Sequence, residues 1–217
     1  MALHQTFLFA DLAGFTALTE AHGDEPAADV AGEFFACVRA LLERHEAEEV
    51  KTIGDAVMIR AESAAAAIRL GLDIVEAVEA RDRFPMVRVG MCTGRAVERD
   101  GDWFGSTVNV AARISGAAAG CEVVVTEATR AAAGEPEGVQ FQRHGEVRFR
   151  NVADAVLVHR AVRSGRRAGE LPIDPVCRMT IAPNASAGRL AHDGVEYQFC
   201  SLDCAAKFAA DPDRYLA

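Results

Sequence analysis

The sequence predicts an α+β fold: a ferredoxin-like βαββαβ core with an antiparallel sheet, followed by a small cysteine-containing C-terminal module. Three observations carry this. Strand-like and helix-like hydrophobic patterns alternate in the order β-α-β-β-α-β over residues 6–93. A polar, glycine-broken stretch, residues 163–172 (RSGRRAGELP), reads as a linker after one full-sized domain at 1–162. Behind it, residues 173–217 hold Cys177, Cys200 and Cys204 in a segment too short for a good apolar core of its own.

Taken in order, residues 6–12 (TFLFADL) read as a buried strand ending at Asp11. A helical region follows, and a second helix runs from about Pro26 to His45, with Val30, Phe34, Val38, Leu41 and Leu42 on one face. Two short strands, 49–53 and 56–61, are joined tightly at Gly54-Asp55. Ser63 is positioned to cap a helix over 64–82, and Phe84-Pro85 lead into a strand at 86–93. Further on come a strand pair around Asp100-Gly101, a helix over 106–117, a strand at 121–126, a helix near 127–133, and strands near 139–150 and 155–161.

Composition limits the function. Half the residues are hydrophobic and a quarter charged, as in ordinary globular proteins. A formal net charge of −9, with no large basic stripe, argues against a grip on nucleic acid phosphates. No run approaches the roughly 20 apolar residues of a membrane span. The N-terminus lacks a cationic start followed by an apolar run, so a cytoplasmic protein with reduced thiols is expected.

The βαββαβ order makes the first strand a neighbour of the 49–61 hairpin, which brings Asp11 beside Asp55. Two such carboxylates can hold two hard cations, Mg²⁺ or Mn²⁺, through oxygen ligands, and paired metals suit phosphoryl displacement. Ala13-Gly14-Phe15-Thr16 opens a helix whose free N–H groups can cradle phosphates. On the residues alone, Gly-Asp also serves as a plain turn and Asp11 as a helix cap.

Three ordered segments, FADLAGFT at 9–16, KTIGDAVM at 51–58 and DWFGSTVNVAAR at 102–113, closely resemble the class III adenylyl and guanylyl cyclases. The resemblance spans about residues 5–162. It implies that Asp11 and Asp55 bind two metal ions, with the Leu12 carbonyl as a further ligand. It also implies that Asn109 orients the ribose and that Arg113 stabilises charge on the phosphates in the transition state. Asn109 and Arg113, four apart on a helix, share one face. Lys51 and Asp102 match the family's base-selecting pair. Lysine only donates and an ionised aspartate only accepts, which complements the N1 acceptor and amino donor of adenine.

The expected substrate is therefore ATP, and the expected product cyclic AMP; guanylate cyclase activity requires that base argument to fail. The family builds each active site from both partners, and this chain holds both halves, so a homodimer with two complete sites is expected. One position departs from the pattern: Arg150-Asn151 stands where the family has a phosphate-binding lysine and a glycine. Arg150 keeps the charge on a bulkier planar group. It leaves open a cyclase-like nucleotide-binding regulator with little or no turnover.

The last segment, with DPVCRM at 174–179 and FCSLDCAAKFAADPDRYL at 199–216, resembles the YHS domain, a relative of the TRASH modules. Three thiolates from Cys177, Cys200 and Cys204 suit Zn²⁺ or Cu⁺. The fourth ligand is not evident; His192 and Asp203 lie nearby. His22, His45, His144 and His159 read as structural or surface residues. Fusion of the two modules suggests a metal-sensing regulator of the cyclase.

Overall fold

The computed structural model describes residues 3–165, 171–182 and 184–216. The chain opens with β1 (Leu3–Leu12), α1 (Phe15–His22) and α2 (Asp24–Leu42), then a 3-10 turn over Glu43–His45. It continues with β2 (Ala47–Ile53), β3 (Ala56–Ala61), α3 (Ala64–Glu79) and β4 (Val87–Arg99). After these come β5 (Asp102–Phe104), α4 (Ser106–Ala117), β6 (Val123–Thr126), α5 (Glu127–Ala133), β7 (Val139–Val147) and β8 (Val156–Arg163).

The main sheet has the order β2-β3-β1-β4-β6-β8-β7, with β5 paired to β4 off this path. Its first four strands carry the ferredoxin-like arrangement, all antiparallel. The β4–β6 pair is parallel, and the β6–β8 and β8–β7 pairs are antiparallel.

Alternation along β1 divides the core. Leu8, Ala10 and Leu12 face one side, where they pack with Phe34 and Val38 of α2 and Ile68, Leu72 and Val75 of α3. Phe7 and Phe9 face the other side, with Met58, Trp103, Val108 and Ala111. Ser63 caps α3 by accepting from the Ala66 N–H at 3.2 Å, as its position predicts. Helices α2 and α3 therefore lie on one face, as expected for the core, and α4 covers the opposite one.

A glycine sets the approach of α4. A Cβ added at Gly90 of β4 would stand 2.1 Å from the Ser115 nitrogen and 2.7 Å from the Ala111 carbonyl oxygen, both backbone atoms. Neither can yield without moving the helix. Gly90→Ala is therefore expected to cost about 2–3 kcal/mol and to lower Tm by roughly 5–10 °C, measured by thermal unfolding. An unchanged Tm would show that α4 is not held this closely.

The charge run read as linker is divided. Arg163 belongs to β8, where its Nε donates to Glu76 at 2.7 Å and its Nη2 to Asp73. Asp73 also takes Arg44, and His45 at 2.8 Å, so this histidine is structural. Residues 166–170 of the expected linker lie outside the described residues.

The C-terminal segment forms a hairpin of β9 (Gly188–His192) and β10 (Val195–Phe199), then α6 (Leu202–Ala210) and α7 (Asp213–Leu216). Its buried Val176, Phe199 and Phe208 join one cluster with Leu18 of α1 and Ala27 of α2. The short segment thus completes its core on the larger unit, which answers its shortage of apolar area. Polar contacts add to the join: the Thr180 N–H and hydroxyl both donate to the Phe84 carbonyl, at 3.1 and 3.0 Å. Ala182 N–H donates to Asp82 at 3.0 Å.

Candidate active site and a cysteine–histidine cluster

The carboxylate pair forms where the strands meet. Asp11 is next to last in β1, opposite Ala56 of β3. Gly54-Asp55 makes a two-residue loop closed by the Ile53–Ala56 pair, and Gly54 has φ 60°, a conformation that glycine takes without strain. Asp55 consequently projects from the hairpin tip toward Asp11. Burial, then the charge of Asp11, pushes the Asp55 carboxyl up to about 6. Two close carboxylates in a partly buried oxygen-donor site fit hard divalent cations, whose charge relieves this repulsion.

A residue missed in the sequence holds Asp11 in place. Arg88, its register partner on β4, donates through Nε at 2.8 Å and lies with Nη2 at 2.6 Å, both to Oδ2. Its Nη1 also donates to the Gly116 carbonyl at 3.2 Å, which ties the carboxylate to the end of α4. The signal lay in the register: an arginine at the start of β4 faces the end of an antiparallel β1.

Leu12 follows in β1 and is buried. Asp11 does not cap α1. Gly14 is the N-cap, with φ 83°, and no side chain makes a cap hydrogen bond. Phe15 is half-buried, packed against both main clusters around α1, and Thr16 is exposed.

Lys51 and Asp102 come together from β2 and β5. A bulge between Glu49 and Lys51 places Lys51 opposite Met58, on the face that α4 covers. Its Nζ meets Asp102 Oδ2 at 2.5 Å. That hydrogen bond, then one from the Trp103 N–H, holds the Asp102 carboxyl below the usual range, so it remains an acceptor.

On α4, Val108 and Ala111 are buried, while Asn109 is exposed and Arg113 half-exposed on the outward side. Among the described residues neither has a side-chain partner, and no hydrogen bond or ion pair joins them to Asp11 or Asp55. Arg150 is exposed in the turn between β7 and β8, likewise without a side-chain partner among the described residues.

The three C-terminal cysteines meet, and the fourth member of their cluster is a correction to the sequence reading. It is His22, the last residue of α1. Cys177 and Cys200 sulfurs are 3.4 Å apart and Cys200 and Cys204 sulfurs 3.8 Å. His22 Nε2 lies 3.8 Å from the Cys200 sulfur and 3.7 Å from that of Cys204. All four ligand atoms fall within 4.8 Å of one another. His192 instead stands edge-on to Phe208, and Asp203 is exposed. Hydrogen bonds from Cys177 and Cys200 hold the Cys204 thiol far below its ordinary range. The thiols of Cys200 and Cys204, then burial, push Cys177 well above it.

Comparison with known proteins agrees with both parts. A family profile described as the adenylate and guanylate cyclase catalytic domain matches residues 4–159, and a YHS domain profile matches residues 173–217. The chain belongs to the adenylate and guanylate cyclase catalytic-domain family and carries a YHS domain behind it.

It is 39% identical over 167 residues to the pH-sensitive adenylate cyclase MT1302 of Mycobacterium tuberculosis (strain CDC 1551 / Oshkosh), covering 76% of this chain and 42% of that protein. A 43-residue stretch is 51% identical to a copper-transporting P-type ATPase of Rhizobium leguminosarum bv. viciae, covering 20% of this chain and 5% of the ATPase. The chain thus spans less than half the length of these curated relatives. Among solved structures, an adenylate cyclase from Trypanosoma brucei in its monomeric state superposes with TM-score 0.69 at 23% identity. That superposition covers 82% of this chain and 93% of that one, and it speaks for the fold alone. Among the described residues no helix is long and apolar enough to cross a membrane.

Proposed function

We propose that this chain is an adenylate cyclase, which converts ATP to 3′,5′-cyclic AMP and pyrophosphate in a homodimer. The observation that carries this reading is the meeting of Asp11 with Asp55 at one sheet edge, beside the Gly14-Phe15-Thr16 turn. The likeness to an adenylate cyclase over most of this chain supports it.

In this reading Asp11, Asp55 and the Leu12 carbonyl hold two Mg²⁺ or Mn²⁺ ions. Bound there, the metals lower the pKa of the ribose 3′-hydroxyl and neutralise the triphosphate. Arg88 keeps Asp11 fixed through Oδ2. The backbone N–H groups at 14–16 cradle phosphate oxygens. The ribose 3′-hydroxyl gives up its proton to water as its oxygen bonds to the α-phosphorus and the bond to pyrophosphate breaks. Arg113 stabilises charge on the phosphates during this exchange, while Asn109 orients the ribose. Arg150 binds the triphosphate as a planar fork.

In this reading a second copy of the chain completes each site. Among the described residues Asn109 and Arg113 have no side-chain partner, and Phe104, just before α4, is 53% exposed beside Val97. A second copy that covers this apolar surface brings its own Asp11 and Asp55 to the outward residues of α4.

Lys51 and Asp102 select the base. Purified protein with Mn²⁺ or Mg²⁺ should use ATP over GTP by at least about 10-fold in kcat/KM, because guanine leaves both groups mismatched. Asp102→Ala should narrow that ratio. Cyclic GMP as the main product would contradict the assignment. A folded dimer that binds ATP without turning it over would favour the regulatory reading, with Arg150 as the first residue to restore to lysine.

A further inference from the structure

We propose that His22 and the three cysteines of the YHS domain form one closed four-ligand site for a thiophilic cation of the Zn²⁺ type, so that the bound ion fastens the C-terminal domain to helix α1 of the cyclase domain.

The distances fit. An ion about 2.3 Å from each sulfur, at tetrahedral angles, sets those sulfurs about 3.8 Å apart. The observed separations are 3.4 and 3.8 Å between sulfurs and 3.7 and 3.8 Å from the imidazole Nε2. A disulfide requires about 2.05 Å, and all six cysteines of the chain are free. Three sulfurs and one imidazole nitrogen, all within 4.8 Å of one another, make the donor set of a structural zinc site.

The surroundings are built to hold this geometry. Asp174 is fully buried and accepts from the backbone N–H of Val176 and Cys200, both at 2.8 Å, and of Cys177 at 3.4 Å. One carboxylate therefore joins the two loops that carry the first two cysteines. Cys204 is fixed separately, at the start of α6, where its N–H donates to the Ser201 hydroxyl at 3.1 Å.

Both ends of α1 are engaged. His22 ends the helix, and Gly14 caps its start. A Cβ at Gly14 would stand 2.6 Å from the Cβ of Arg178, the residue directly after the ligand Cys177. Between them, Leu18 is buried in the shared cluster with Cys177, Cys200 and Cys204. The ion thus restrains the eight-residue helix whose first turn is the proposed phosphate cradle. The site stands on its own distances; only its effect on catalysis rests on the cyclase reading.

The test uses the full chain, reduced and freed of metal, titrated with Zn²⁺ and with Co²⁺ as a coloured probe. One ion per chain and a tetrahedral Co²⁺ spectrum with thiolate charge transfer are expected. His22→Ala should weaken Zn²⁺ binding by at least about 10-fold, whereas His22→Cys should retain tight binding with a spectrum shifted toward four sulfurs. Zn²⁺ should slow amide exchange over residues 15–22 in the parent chain and not in His22→Ala. Unchanged affinity and spectrum in His22→Ala would overturn the proposal. So would a disulfide between Cys177 and Cys200 in protein purified with Zn²⁺, or α1 exchange indifferent to the metal. None of these readouts depends on cyclase activity.

Discussion

Asp55→Ala is expected to lower cyclic AMP formation by at least about 1,000-fold, because it removes half of the carboxylate pair proposed to hold the metal ions. The fold should survive. Asp55 stands at a hairpin tip, and burial with the neighbouring Asp11 charge pushes its carboxyl up to about 6. A group in that position is repelled at neutral pH, so truncation removes a repulsion instead of a support. Thermal unfolding in metal-free buffer should therefore show a Tm no lower than the parent's, while Mn²⁺ affinity falls. Full activity in Asp55→Ala would remove the metal site from the account. Loss of activity together with a collapsed Tm would show that the residue is structural.

Arg113→Ala should also be severe, on the order of 100- to 1,000-fold in kcat, with little change in ATP affinity. The reason is where the side chain acts. Arg113 has no partner among the described residues and lies on the outward side of α4, whose buried side is held by Val108 and Ala111. Its removal costs no side-chain hydrogen bond among the described residues, so stability should be unchanged. In the proposed dimer its charge acts only once a nucleotide is bound. Steady-state kinetics separate the possibilities: a lower kcat at constant KM supports action in the transition state. A higher KM alone would make Arg113 a binding residue.

The parts of this arrangement differ in how legible they were. The ferredoxin-like core could be read because β1, the 47–61 hairpin and α3 each carry a local pattern, and chain order then fixes which strands adjoin. That order alone places the end of β1 beside the hairpin tip, and so Asp11 beside Asp55. The position of α4 on the opposite face was not readable. It depends on Gly90, whose missing side chain lets the Ser115 backbone approach, and a glycine in a strand does not reveal what it admits. Arg88 was hidden for a related reason: its partnership with Asp11 is a matter of register.

His22 was hidden more deeply. It lies in an ordinary helix end, Glu20-Ala21-His22, and Cys200 is 178 residues further along the chain. No spacing motif links them. The three cysteines pointed to a soft-metal site, and only the docking of the two domains brought His22 to them. Arg163 shows the converse. In the sequence it opens the expected linker, yet Asp73 and Glu76 claim it for the end of β8.

The most direct test of the account is to mix Asp55→Ala chains with Arg113→Ala chains and measure cyclic AMP made from ATP with Mn²⁺. Each variant alone lacks one half of every site. In a mixed dimer both lesions fall in one site and leave the other intact, so an equal mixture should recover about a quarter of the parent activity. A mixture that stays as inactive as its components would contradict a catalytic site shared between two copies of this chain.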